Sequence, residues 1–188
     1  MPEYEQLIKA IDDLSLKNFC ITLEDGRTIP FHFKPAYFFH LLGLHYITDM
    51  PHISAPKNKA SLINQLKKDE KLFRQIKASS HYSNIRARIE TFPNVVKMLL
   101  TDQCDIIIDF DRSLAPKAKI SSCYLLYKTD DRTTYHILGI ATNGKGLFYP
   151  ETYIVEPSKY YVNGQKLLSC KISQAPFIFK RRARNDNK

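Results

Sequence analysis

Three of the six histidines stand in one short stretch, Phe31 to Asp49, as His32, His40 and His45. Imidazole exchanges a proton near neutral pH, so two such groups on one element beside Lys34 could form the acid–base part of a catalytic site. The segment around them is apolar, with Phe38, Leu41 and Leu42 at helical spacing, and the same two histidines could be ordinary helix residues. On an ideal helix, residues five apart diverge by ~140°. The spacing therefore allows His40 and His45 to line opposite edges of a groove, but not to point together into one small pocket.

The remaining chemistry-bearing residues are Lys, Arg, Tyr and Thr in a chain of net charge +9 and pI near 9.3. This balance favours a polyanionic partner. No phosphate-binding loop, dinucleotide glycine fingerprint, nucleophile elbow or His-Glu-x-x-His motif is present, so the sequence calls for neither a cofactor nor a metal. Such a set suits metal-independent RNA cleavage. A base takes the 2′-hydroxyl proton, a cation steadies the charged phosphorane, and an acid protonates the leaving 5′-oxygen.

The elements that must position these groups can be read from the same 188 residues. The first is an amphipathic helix over Glu3–Leu14. A hairpin follows, from Asn18–Leu23 and Thr28–Phe33 around Asp25–Gly26. Pro35 opens a second helix, which the apolar pattern carries to Ile47–Asp49. His52–Lys59 reads as a loop, and Ala60–Ala78 as one helix. Ser83 is placed as the N-cap of a helix that buries Ile85, Ile89 and Phe92, with a further helical turn from Pro93. Beyond Thr101 the chain turns to strands, at Asp105–Phe110, Ser121–Tyr127, Thr133–Thr142 and Leu147–Ile154, with turns at Asp130–Arg132 and Asn143–Gly144. A strand–turn–strand ending is expected over Tyr160–Ile172. Helices first and strands second indicate an α+β fold, with N-terminal helices on a twisted antiparallel sheet.

We expect a single domain over residues 1–176 and a basic tail over 177–188. Five basic residues against one acid give the stretch from Lys180 to Lys188 a net +4, which leaves +5 on the rest. Cys20, Cys104, Cys123 and Cys170 are widely spaced, no signal peptide is evident, and no apolar run is long enough to span a bilayer. A cytoplasmic protein without membrane contact is expected.

Three blocks carry a resemblance. Phe38–His45, within F-F-H-L-L-G-L-H, resembles an element of a phage- and plasmid-borne nuclease family of the barnase–EndoU–colicin–RelE (BECR) class. Ser83–Ile89 is similar to a helix of that family, and Leu147–Tyr153, L-F-Y-P-E-T-Y, to one of its strands, followed by Tyr160, Tyr161 and Gln165. The resemblance implies RNA cleavage on a BECR-like fold. Carried across by position, His40 and His45 match the motif histidines, as general base or acid and its partner. Arg88 would neutralise the phosphate. Thr152, where the pattern has Ser, keeps a hydroxyl for a non-bridging oxygen. Lys34, Ser83, Arg86, Lys128, Tyr153 and Gln165 are candidates for substrate contact. Ser83 could equally be only a cap, and Arg86 and Lys128 solvated charges. The resemblance also implies a toxin or host-takeover factor of a mobile element, with RNA as target and an antitoxin or host protein as possible partner. The rival readings are a non-catalytic RNA- or protein-binding module, and an inhibitor of a host nucleic-acid enzyme.

Overall fold

The computed structural model describes residues 1, 3–100, 106–130 and 133–176; Cys104, part of the Asp130–Arg132 turn and the basic tail lie outside the described residues. Helix α1 (Glu3–Ser15) buries Leu7, Ala10, Ile11 and Leu14 on one stripe. Strands β1 (Lys17–Leu23) and β2 (Thr28–His32) form the expected hairpin, with Gly26 at φ 85° in its turn. Helix α2 (Pro35–Leu41) starts on its proline as anticipated, but it is shorter than the apolar pattern suggests. The chain breaks at Gly43, φ 74°, and resumes as a 3-10 turn over Leu44–Tyr46. The left-handed conformation is nearly free for glycine, and the helix stops there for that reason.

The 52–59 loop begins with a short helix, α3 (Pro51–Ser54). The single helix expected over residues 60–78 is two, α4 (Lys59–Leu66) and α5 (Glu70–Ala78). The second has its own N-cap: the Asp69 carboxylate accepts a hydrogen bond from the Lys71 amide at 2.9 Å. Helices α6 (Arg86–Thr91) and α7 (Pro93–Leu100) follow. Ser83 does not cap α6. It is exposed within the 3-10 turn Tyr82–Asn84, and the capping position is taken by Ile85 without a side-chain bond.

Strands β3 (Ile106–Asp109), β4 (Tyr124–Asp130), β5 (Thr134–Thr142), β6 (Phe148–Glu156) and β7 (Lys166–Pro176) complete a seven-stranded sheet. Its order is β2-β1-β7-β3-β4-β5-β6, and every pairing is antiparallel. The expected hairpin near Tyr160–Ile172 is absent. Residues 160–164 are turns, and β7 runs as one strand between β1 and β3, which joins the N-terminal hairpin to the rest of the sheet. The fold is thus α+β, helices against a twisted sheet whose edge strands β2 and β6 approach each other.

The sheet is buried on both faces where the site lies. Leu126, Leu138 and Tyr153 join the main core under the helices. Their neighbours Leu125, Ile137 and Ile154 face the opposite way, into a smaller core with Ile108 and Phe110. Two buried faces explain why β5 is buried continuously from Tyr135 to Ala141. Strand β6 is an edge strand, and between the pairs Gly139–Thr152 and Ile140–Pro150 it carries Glu151 as an extra residue. Pro150, which has no N–H to donate, and the bulge at Glu151 both suit an edge.

Candidate active site

A cleft of about 240 Å³ opens where the helical layer and the loop over the outer face meet above the edge of β6; His40, His45, Arg88 and Thr152 all line it. Two features of backbone geometry bring them together. At Gly43 the break redirects the chain, so the His40 and His45 rings lie 5.2 Å apart, centroid to centroid. The 140° divergence of an unbroken helix does not apply. Glycine is also required sterically at this position. A Cβ on Gly43 would stand 2.9 Å from Ile85 Cγ2 and 3.3 Å from both Cδ and Nη1 of Arg88. The same residue thus turns the histidines inward and lets α6 approach with its arginine.

The second feature is the bulge on β6, which places Glu151 beside Thr152 at the cleft. The Glu151 carboxylate accepts hydrogen bonds from the Ser121 amide at 2.9 Å, from the Ser121 hydroxyl and from the Ser122 hydroxyl at 2.5 Å. Gly139, the cross-strand partner of Thr152, makes room for this cluster. A Cβ there would run into Ser122 Oγ and stand 2.9 Å from Thr152 Cγ2.

The electrostatics of the cleft keep its imidazoles neutral. Burial pushes His40 below its ordinary range, and Lys59 adds to this while Glu151 opposes it. Lys59 Nζ lies 2.8 Å from His40 Nε2. An ammonium only donates, so Nε2 is the acceptor and the ring proton belongs on Nδ1. His45 is lowered further, to about 4, by burial and by His40, Arg88 and Lys59. Its Nδ1 is buried with no hydrogen-bond partner among the described residues. The guanidinium of Arg88 is lowered by burial and supported by Tyr46. It lies 5.4 Å from the centre of the Tyr46 ring, and Nη1 is 3.5 Å from the carbonyl oxygen of His40. Lys119 and Tyr161 close the far side of the cleft. Burial raises the Tyr161 phenol, which keeps it protonated and able to donate.

The other sequence-derived candidates lie elsewhere. Tyr153 is fully buried; its hydroxyl lies 2.8 Å from His136 Nδ1 and donates to the Thr91 carbonyl at 3.0 Å. It cannot touch substrate as folded, because a core phenol finds its partners inside. Gln165 is also buried, clamped to both backbone groups of Asp111 at 2.8 and 2.9 Å. Exposed Arg86 pairs with Glu90 at 2.6 Å, one helical turn away. Ser83 is exposed outside the cleft, and Lys128 sits on β4 opposite His136, also outside it. Lys34 lines a separate cleft under α2.

The sequence reading gave no site role to Glu151, Lys119, Tyr46 or Tyr161, although Glu151 and Tyr161 fall in or just after the third block. For Glu151 a signal existed: Pro-Glu-Thr inside an otherwise apolar strand marks a bulge. Lys119, in a loop, offered none.

Helices packed on a twisted antiparallel sheet are what the BECR resemblance implies. The chain belongs to the family described as phage-Barnase-EndoU-ColicinE5/D-RelE like nuclease 4, which matches residues 6–187. No curated protein and no solved structure matches the chain. The family is one of BECR-type nucleases, and no helix among the described residues is long and apolar enough to cross a membrane.

Proposed function

We propose that the chain is an endoribonuclease that cleaves RNA by attack of the ribose 2′-hydroxyl on the adjoining phosphate, without a metal ion. The observation that carries this reading is the convergence of His40, His45, Arg88 and Thr152 on one cleft.

His40 serves as the proton-transfer group. Neutral at physiological pH and exposed to the cleft, it can accept the 2′-hydroxyl proton once substrate displaces Lys59 from its Nε2. Arg88 and Lys119 hold the phosphate as negative charge grows on it, and the Thr152 hydroxyl donates to a non-bridging oxygen. His45 lies within reach of the leaving side. An incoming phosphate offsets the cations that depress it, so the ring takes a proton from solvent and gives it to the leaving 5′-oxygen, while His40 keeps the proton taken from the 2′-hydroxyl. Glu151, which accepts from Ser121 and Ser122, favours the protonated form of His40 later in the cycle.

RNA as target, and the toxin or host-takeover setting with an antitoxin or host partner in the cytoplasm, belong to the same reading. A binding module or an inhibitor could use a basic cleft, but it would not need two neutral imidazoles beside it. His40→Ala should cut cleavage of single-stranded RNA ~10²–10⁴-fold. Full cleavage by His40→Ala and Thr152→Ala would overturn the assignment.

A further inference from the structure

A second cleft, of about 310 Å³, lies where edge strands β2 and β6 come together under the start of α2. Its walls include Lys34 at the N-cap of α2, Tyr37 from α2, His32 from β2, and Phe148 and Tyr149 from β6. Tyr37 and Tyr149 are stacked, with ring centroids 5.5 Å apart and planes at 27°. Lys34 Nζ stands 5.9 Å from the centre of the Tyr37 ring. Among the described residues that line it, none is acidic.

This cleft and the candidate active site lie along the same seam between α2 and β6. Helix α2 packs along β6, so Tyr37 meets Tyr149, and one turn further on His40 feels the charge of Glu151. Tyr149 and Thr152 are three residues apart, roughly 10 Å along a strand, a reach spanned by a nucleotide or two. Half-buried tyrosines beside a lysine, with no acid among the described lining residues, match the chemistry of an unpaired nucleobase and its phosphate. A duplex, whose bases are stacked on one another, has no free face to offer.

We infer that the cleft under Tyr37 and Tyr149 is a second subsite, which holds an unpaired base of the RNA strand by stacking and the adjoining phosphate by Lys34. The inference rests on the reading of the first cleft as an RNA site, and it gives that site a single-strand preference. The base packs on the open face of the tyrosine pair, beside Phe148. Lys34, which lies outside the cleavage cleft, thereby acquires a role in binding and none in proton transfer.

The test is the binding of a labelled single-stranded 2′-O-methyl RNA oligonucleotide to the full chain, followed by fluorescence anisotropy. The blocked 2′-hydroxyl prevents cleavage, so binding is read by itself. Tyr149→Leu should raise Kd about tenfold, and Tyr149→Phe should stay within about twofold of wild type. Lys34→Gln should weaken binding and reduce the salt slope by about one. None of these changes should appear with a blunt duplex. A 4-thiouridine placed beside the scissile position should cross-link to Tyr37 or Tyr149, which guards against a Leu variant that fails to fold. Tyr149→Leu binding like wild type, or cross-links only elsewhere, would overturn the subsite. If unblocked RNA is cleaved while Tyr149→Leu binds normally, the subsite alone fails. If binding depends on Tyr149 but nothing is cleaved, the cleavage reading alone fails.

Discussion

His40 and His45 stand on either side of a chain break, with their rings 5.2 Å apart, because Gly43 between them adopts φ 74°. Were the helix continuous, the two imidazoles would diverge, and Arg88 would be held off by any side chain at position 43.

Gly43→Ala should therefore damage the site as well as the fold. The left-handed backbone costs a non-glycine residue about 1–2 kcal/mol. Gly26 supplies a matched control: its φ is 85°, but nothing lies within 4 Å of a Cβ there. Thermal melts should show a loss for Gly26→Ala and a larger one for Gly43→Ala, whose Cβ also meets Ile85, while RNA cleavage should collapse only for the second. Equal activities would mean that the Gly43 break does not shape the cleft.

Arg88 lines the cleft and packs over Tyr46. Lysine would keep the charge but neither the planar fork nor the ring contact. Arg88→Ala should lower kcat about 10²–10³-fold, as expected for loss of a charge-stabilising donor, and Arg88→Lys should recover only part of it. Full recovery with lysine would reduce the role of Arg88 to a point charge.

His45 ties stability to pH. In the folded chain it binds a proton only near 4, against 6.5 for the free side chain, so between these values the unfolded chain carries more protons. Stability should rise with pH across that window, be fully present above it, and fall away as pH drops towards 4. His32 and His40, also lowered, act in the same direction. Urea titrations over this range should show a shallower dependence for His45→Gln than for wild type. An unchanged slope would mean that His45 is not held neutral.

Glu151 raises the proton affinity of His40 against the effects of burial and Lys59. Its neutralisation in Glu151→Gln should move the acid limb of the kcat/KM profile to lower pH. An unmoved limb would show that the carboxylate serves only to anchor Ser121 and Ser122.

Much of the fold was legible in the chain. Pro35 started its helix, Asp25–Gly26 closed its hairpin, and the shift from helical to strand patterning near Thr101 marked the α+β arrangement. What stayed hidden was set by distant contacts or by backbone angle. Gly43 in an apolar run reads as a packing residue, since nothing local announces a left-handed φ. The stretch to Ile172 reads as half of a strand–turn–strand ending, because the partners of β7, β1 and β3, lie far away in sequence. Tyr153 and Gln165 carry polar tips that look like surface groups until a buried His136 and the Asp111 backbone claim them. The residues that line the cleft were partly readable through the histidine motif. Glu151 was missed because it reaches the cleft only through a bulge.

The chemistry of the cut ends tests the central claim most directly. Purified chain should be incubated with single-stranded RNA in excess EDTA, and the product termini analysed by mass spectrometry. Attack by the 2′-hydroxyl should leave 2′,3′-cyclic phosphate and 5′-hydroxyl ends, with the rate reduced ~10²–10⁴-fold in His40→Ala. Ends bearing 5′-phosphate, cleavage that EDTA abolishes, or intact RNA with the wild-type chain would contradict it.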